Sequence, residues 1–203
     1  MGASGSGKST LLNLLMGSYG NYSGQIFYDG QELHQIRSDS LYELISIIQQ
    51  NVFVFNNTIH NNITMFHEFP EDKVDKAIEL SGLTQLIEER GAEYLCGENG
   101  SGLSGGEKQR ISIARSLLKE SAVLLVDEAT AALDAQTANQ VASAILHLDG
   151  LTRIVVTHDL DASVLKQYDC ILALKNGNIT ESGSFEELME QKRYFYSLYT
   201  VSQ

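Results

Sequence analysis

Residues 1–10 contain a glycine-rich segment whose spacing is typical of a phosphate-binding loop. The run Gly2–Ser9 matches the pattern G-x-x-x-x-G-K-[ST]. Glycines at these positions let successive backbone N–H groups turn toward a phosphate, and the following helix directs its partly positive N-terminus at the same place. We expect Lys8 to reach the β- and γ-phosphates of a nucleotide, and the Ser9 hydroxyl to bind Mg²⁺. The predicted nucleotide-binding residues of this segment are Gly2, Ser4, Gly5, Ser6, Gly7, Lys8, Ser9 and Thr10.

Two adjacent carboxylates follow a hydrophobic segment farther along the chain. The run Ala122–Val126 leads directly into Asp127 and Glu128. A carboxylate that ends a buried strand beside a phosphate loop can hold Mg²⁺, directly or through water. We therefore predict that Asp127 is a metal ligand and that Glu128 orients and deprotonates an attacking water. Without the loop at Gly2, the same pair would indicate only the start of a solvated turn.

A third motif, Leu103–Glu107, reads Leu-Ser-Gly-Gly-Glu. Ser104 with Glu107 three residues later has the arrangement of a capping box, which predicts the start of a helix. The longer segment Gly97–Arg110 resembles the signature motif of ATP-binding cassette (ABC) transporters and the short loop before it. The resemblance covers essentially the whole chain, through Gly177–Gly183 and Phe185–Leu188 near its end.

The resemblance implies that two cassettes together form each ATP site. In this family two cassettes pair head to tail, so that each ATP is held by the phosphate loop of one and the signature of the other. By position, Gln50 is similar to the Q-loop glutamine, Ala132–Asp134 to the D-loop, and His158 to the switch histidine that stabilises the γ-phosphate. The implied sites are catalytic Glu128, His158 and Gln50, metal-binding Ser9, Gln50 and Asp127, and, from the opposite cassette, ATP-binding Ser104, Gly105, Gly106, Glu107 and Asp134.

The segment Phe53–Ile63 resembles exporter cassettes, in which this region faces the coupling helices of a transmembrane domain. The Gly97-Glu98 loop indicates the same type. The resemblance implies two partners, a second cassette in a homo- or heterodimer and a transmembrane domain. It also implies a location at the cytoplasmic face of a membrane. Peptide, lipid and drug export all remain open, because selectivity in the family resides in the transmembrane domain.

Composition restricts the function classes further. The 14 Lys and Arg residues are outnumbered by 26 Asp and Glu, which gives a formal net charge of −12. We therefore expect no nucleic-acid partner, since an acidic surface repels phosphate backbones. No apolar run approaches the roughly 20 residues of a membrane-spanning helix, and no signal peptide is recognisable. Cys96 and Cys170 form neither a disulfide framework nor a zinc pattern. The sequence predicts a cytosolic domain.

Alternating helices and strands must position these motifs. Apolar spacing and turn signals predict helices over Lys8–Met16, Glu107–Lys119 and, divided at Gly82, Glu71–Arg90, and strands over Gln25–Tyr28, Ile45–Ile48, Val123–Val126 and Arg153–Val156. The last two strands are continuous β-branched or leucine runs, typical of parallel strands covered on both faces. The resulting expectation is an α/β phosphate-loop NTPase (RecA-like) fold with a mostly parallel sheet. Residues 1–50 and 119–203 would form its ATP-binding core, and residues 51–118 an inserted ABC-type helical subdomain that ends in the signature.

A buried strand normally leads into a phosphate loop, and residues before Gly2 supply none. We therefore expect an N-terminally truncated piece of a longer exporter that lacks its first strands and its membrane domain, is poorly stable in isolation and binds ATP weakly. Two alternatives stay open: a soluble ABC ATPase that acts on ribosomes, DNA or metal-cluster assembly, and a non-catalytic, degenerate cassette. Kinases and GTPases do not account for Leu103–Glu107.

Overall fold

The structure, a computed structural model, describes residues 1–49, 51–128, 130, 132–158 and 160–201. The chain divides into two compact units. One consists of Met1–Ile45 together with Val155–Gln203, and the other of Ser46–Ile154. Among the described residues, none of the helices combines the length and the apolar composition needed to cross a bilayer.

The N-terminal part of the first unit begins with helix α1, Lys8–Leu15, directly after the glycine-rich loop. A short hairpin follows, in which β1 (Phe27–Tyr28) pairs antiparallel with β2 (Gln31–Glu32). Its turn takes positive φ at both Asp29 and Gly30, as the Asp-Gly signal predicts. The strand predicted over Gln25–Tyr28 is thus present but shorter. Helix α2, Ser38–Leu44, ends this part of the unit.

The C-terminal part of the first unit is a hairpin covered by helices. Short helix α8 (Ala162–Leu165) precedes strands β6 (Ile171–Lys175) and β7 (Asn178–Gly183), which pair antiparallel. Helices α9 (Phe185–Gln191) and α10 (Tyr194–Val201) follow. The apolar core that joins these elements consists of Leu165, Ile171, Ala173, Phe185, Leu188 and Phe195. Its burial fixes the hairpin against α9 and α10.

Helices dominate the first part of the second unit. They are α3 (Ile59–Thr64), α4 (Glu71–Leu80), α5 (Thr84–Arg90) and α6 (Gly105–Leu118). Gly82, at φ 72, separates α4 from α5 as predicted. Helix α6 begins two residues before the predicted Glu107, because Ser104 caps it. The shared core consists of Val54, Ile59, Ile63, Val74, Ala77, Leu83, Leu86, Cys96, Leu103, Ile111, Ala114 and Leu118.

A three-stranded parallel sheet carries the carboxylate pair Asp127 and Glu128. Its order is β3 (Ile45–Ile48), β4 (Val123–Asp127), β5 (Thr152–Val156). Strand β4 is buried along Val123–Val126, as the apolar run predicts. Strand β5 lies at one end of this order and is only half-buried before Val156, so the expectation of full cover is correct for β4 alone. Helix α7, Ala135–Leu146, connects β4 to β5. The predicted division at residues 51–118 stays a prediction.

Candidate functional site

The glycine-rich loop has the backbone geometry of an anion cradle. Gly5 and Gly7 take φ values of 75° and 102°, a region that L side chains rarely adopt. Gly7 is the N-cap of α1. At Gly2 the constraint is space, because a Cβ there would lie 2.3 Å from the carbonyl oxygen of Leu174. The sequence pattern therefore places glycine where a side chain would either strain or displace the loop.

Lys8 is held inside this loop. Its ammonium donates hydrogen bonds to the carbonyl oxygens of Gly2, at 2.8 Å, and Ala3, at 3.1 Å, and the residue is 7% exposed. No side-chain hydrogen bond caps the N-terminus of α1 among the described residues. Ser9 and Thr10, in its first turn, are exposed. One cation and a free helix N-terminus thus meet at the loop, which is the combination that binds phosphate.

The two predicted carboxylates lie at the carboxyl end of β4. Asp127 is half-buried, and its Oδ1 is buried without a hydrogen-bond partner among the described residues. A buried carboxylate oxygen in that state fits a cation ligand, because native structures rarely leave such atoms unsatisfied. Glu128 follows at φ 52, in the left-handed region that is uncommon for residues other than glycine.

The signature segment begins helix α6. The Ser104 hydroxyl accepts a hydrogen bond from the Glu107 N–H at 3.2 Å, and the Glu107 carboxylate accepts one from the Ser104 N–H at 2.6 Å. This capping box confirms the predicted helix start. Ser104 and Gly105 are exposed. Gly106 is confined, since a Cβ there would lie 3.1 Å from the carbonyl oxygen of Ala132.

Asp134 and His158, which the sequence predicts as ATP-site residues, are both exposed. Asp134 is the N-cap of α7, where its carboxylate accepts a hydrogen bond from the Thr137 N–H at 3.0 Å. This bond holds the pKa of Asp134 below its usual value. His158 lies two residues after the end of β5 and belongs to the first unit. Gln50 lies outside the described residues.

The structure groups the candidate residues by unit. The phosphate loop, with Gly2 to Thr10, and His158 belong to the first unit; Asp127, Glu128, the signature and Asp134 belong to the second. Within the second unit, Gly106 and the D-loop residue Ala132 are in close contact. The assignments of individual residues to ATP, metal and catalysis stay predictions.

Sequence reasoning missed a partly buried hydrogen-bond network around Arg115 of α6. The guanidinium donates to the Asn62 carbonyl oxygen at 2.5 Å, to Asn62 Oδ1 at 2.7 Å and to the Phe53 carbonyl oxygen at 2.6 Å. Asn62 in turn donates to the carbonyl oxygens of Phe55 and Thr58. Burial lowers the pKa of Arg115. The network ties α6 to the segment 53–62, and no local sequence signal indicates it.

An aromatic cluster covers one surface of the same segment. The ring of Phe55 packs edge-on against those of Phe53, at 5.0 Å, and Phe66, at 5.4 Å. Phe53 is 62% exposed and Phe66 is 54% exposed. Met65 and Leu95 are exposed as well. Exposed large apolar side chains are thus concentrated on this segment, a pattern that is typical of interaction surfaces.

Comparison with known proteins decides the family. The pattern of the family described as ABC transporter matches residues 1–131. The chain belongs to the ABC transporter family.

Two curated relatives are both named ATP-dependent lipid A-core flippase. That of Hahella chejuensis is 41% identical over 206 residues, and that of Photorhabdus laumondii subsp. laumondii is 38% identical over 206 residues. Each alignment covers 99% of this chain and 35% of the flippase. This ABC transporter chain therefore spans about a third of the length of the curated relatives it matches.

A solved structure of a bacterial Atm1-family ABC exporter with ATP bound superimposes with a TM-score of 0.93 at 34% identity. The match covers 99% of this chain and 36% of the exporter chain. Together with the family match, it confirms the predicted phosphate-loop NTPase fold and the identification as an exporter-type ABC nucleotide-binding domain.

Proposed function

We propose that this chain binds ATP and Mg²⁺ and hydrolyses ATP to drive transport across a membrane. The observation that carries the proposal is the phosphate loop, with buried Lys8 fixed to two loop carbonyls beside the uncapped start of α1. This arrangement binds the β- and γ-phosphates through one ammonium and several backbone N–H groups. Because Gly2, Gly5 and Gly7 have no side chains, the backbone N–H groups of the loop stay accessible to the phosphates.

Asp127 and Ser9 would hold the magnesium ion, with Gln50 as a further ligand by family position. Support comes from the unpartnered, buried Oδ1 of Asp127 and from the exposed Ser9 hydroxyl. Both are hard oxygen donors, which Mg²⁺ prefers. When bound, the ion neutralises charge on the phosphate oxygens during phosphoryl transfer.

Glu128 would act as the base. Glu128 directly follows Asp127 at the end of β4, and its backbone takes a positive φ of 52°. In this role it accepts a proton from water as that water attacks the γ-phosphate. His158, after the neighbouring strand β5, would donate a hydrogen bond to the γ-phosphate. Gln50 would orient the same water.

We infer that two cassettes pair head to tail to complete each site. Ser104 and Gly105 are exposed at the N-terminus of a 14-residue helix, α6, whose positive end suits the γ-phosphate of an ATP held by the opposite cassette. Gly106, Glu107 and Asp134 would complete this surface. Either a copy of this chain or a related chain can serve as the second cassette, so both homo- and heterodimers satisfy the proposal.

The aromatic cluster of Phe53, Phe55 and Phe66 would receive the transmembrane domain, and the chain would then lie at the cytoplasmic face of a membrane. Its exposed rings provide an apolar surface. The Arg115 network fixes the segment that carries two of these rings to the signature helix. ATP-driven pairing of the cassettes would then move the membrane domain between its two open states.

The test is Mg²⁺-dependent ATP hydrolysis by the wild type and by Glu128→Gln. We expect the variant to lose at least about 100-fold in turnover while it still forms ATP-dependent dimers, because removal of a positioned base costs about that factor. Glu186→Gln, the same change at an exposed site on α9, is the matched control and should hydrolyse ATP like the wild type. Undiminished hydrolysis by Glu128→Gln would remove Glu128 from this role.

A further inference from the structure

Backbone hydrogen bonds hold the phosphate loop against the β6–β7 hairpin of the first unit. The backbone N–H of Leu174 in β6 donates to the carbonyl oxygen of Met1 at 2.7 Å. At the turn between β6 and β7, the N–H of Gly177 donates to the carbonyl oxygen of Ser6 at 3.0 Å. Two backbone contacts, one at each end of the loop, therefore come from a hairpin that carries none of the predicted ATP-binding residues.

Helix α10 adds a side-chain contact between these two. The N–H of Ala3 donates a hydrogen bond to the hydroxyl of Tyr194, the first residue of α10, at 3.3 Å. Ala3 also supplies one of the carbonyl oxygens that hold the Lys8 ammonium. The ammonium of Lys175 lies 5.1 Å from the centre of the Tyr194 ring, a cation–π distance that restrains the ring.

A buried carboxylate fixes the start of α10. Glu181 of β7 is 8% exposed, and its two oxygens accept hydrogen bonds from the N–H groups of Tyr194, at 2.9 Å, and Phe195, at 2.6 Å. A carboxylate at a helix N-terminus pairs with both the free N–H groups and the helix dipole. Phe195 is fully buried beneath this turn. The position of Tyr194 is thus set from both sides of the helix start.

We propose that Tyr194 is a positioning residue for the phosphate loop, held in place by Glu181. Through Ala3 the Tyr194 hydroxyl stabilises the peptide that anchors Lys8, so the C-terminal helix controls how well the loop is formed before nucleotide arrives. The consequence for ATP affinity rests on the proposed function; the effect on the loop itself does not. The Tyr194 hydroxyl contacts the N–H of Ala3, near the start of the loop. It therefore leaves the N–H groups of Gly7, Lys8 and Ser9 available to phosphate.

Tyr194→Phe in the 203-residue chain tests the contact, because it removes the hydroxyl and keeps the ring. The first readout is amide hydrogen exchange of residues 2–8 without nucleotide. We expect exchange to become about threefold to tenfold faster, the range that corresponds to loss of one hydrogen bond. Tyr199→Phe is the control, since Tyr199 packs its ring on Phe185, 5.4 Å between centres, and should leave the exchange unchanged. Equal exchange in wild type and Tyr194→Phe overturns the proposal.

The second readout is the Kd for inorganic tripolyphosphate, measured by calorimetry. We expect Tyr194→Phe to raise this Kd by about threefold to tenfold at an unchanged melting temperature. Glu181→Gln should raise it as well, but should add nothing in a chain that already carries Tyr194→Phe. Additive effects of the two substitutions overturn the role of Glu181. A wild-type chain that binds no tripolyphosphate counts against the proposed nucleotide binding, while the exchange data still decide the role of Tyr194.

Discussion

Among the three glycines of the phosphate loop, Gly2 has the least space for a Cβ. Gly2 faces the carbonyl oxygen of Leu174, and a Cβ at this position would also lie 2.6 Å from the Ser6 hydroxyl oxygen. The obstacle at Leu174 is backbone inside a strand, which cannot move like the end of a flexible side chain. Gly20, by contrast, has open space around its Cα.

We expect Gly2→Ala to lower the free energy of unfolding by about 1–3 kcal/mol, the usual cost of overpacking. It should also weaken ATP binding, because the loop must shift away from β6. Gly20→Ala is the matched control and should stay within about 0.5 kcal/mol of the wild type. Urea denaturation and ATP titration measure both quantities. Equal stability of the two variants would show that the loop tolerates a methyl group at Gly2.

At the scale of elements, Arg115 connects α6 with the chain before α3. Its three hydrogen bonds end on two carbonyl oxygens and one side-chain oxygen, and its guanidinium also lies 5.9 Å from the centre of the Phe55 ring. The planar guanidinium can reach all three acceptors at once, whereas a lysine ammonium is a point donor. Removal of the arginine takes this donor from the Asn62 and Phe53 carbonyl oxygens, while Asn62 Oδ1 still accepts from the Phe55 N–H at 2.8 Å.

Arg115→Ala should therefore destabilise the second unit by about 2–4 kcal/mol. Amide exchange should accelerate most over residues 53–64, and Arg115→Lys should recover only part of the loss. Arg193→Ala, at an exposed arginine before α10, is expected to change stability by less than about 0.5 kcal/mol. Protection of residues 53–64 that is unaffected by Arg115→Ala would contradict this account.

The sequence predicts those features whose cause is local. Gly82 separates two helices through its own backbone, and the capping box of Ser104 and Glu107 starts α6 within a single turn. The contacts of Arg115 with Asn62 and of Tyr194 with Ala3 span 53 and 191 positions in sequence. No periodicity or spacing encodes such pairs, because their partners meet only after the elements between them have packed.

The same limit applies to the burial of strands. Val123–Val126 of β4 and Ile154–Val156 of β5 are both apolar runs, yet the first is buried throughout and the second is only half-buried before Val156. The difference follows from their order in the sheet, where β4 lies between two described strands. Strand order depends on the packing of the whole sheet, so a single strand's composition cannot predict it.

At the scale of the whole molecule, charge opposes the proposed pairing. Each copy carries a formal net charge of −12. Two such chains repel at low ionic strength, and salt weakens that repulsion over a Debye length of about 10 Å at 0.1 M. The signature helix N-terminus and Lys8 are local positive features within an acidic surface.

Dimers of Glu128→Gln formed with ATP should therefore increase when NaCl is raised from about 20 mM to about 150 mM, since screening reduces the long-range repulsion. Sedimentation velocity measures the dimer fraction. Samples without ATP serve as the control and should stay monomeric at both salt concentrations. A dimer fraction that falls with salt would indicate that complementary charges at the interface outweigh the net charge.

The two hydrogen bonds of Lys8 also affect the entropy of nucleotide binding. A free lysine has four rotatable bonds, and immobilising such a side chain costs about 1.5–2 kcal/mol. Here the loop carbonyls of Gly2 and Ala3 already restrict it. The chain therefore loses this conformational freedom during folding and not during binding. The Lys8 ammonium is already ordered when ATP binds. Less of the attraction between this ammonium and the phosphates is therefore offset by loss of side-chain freedom.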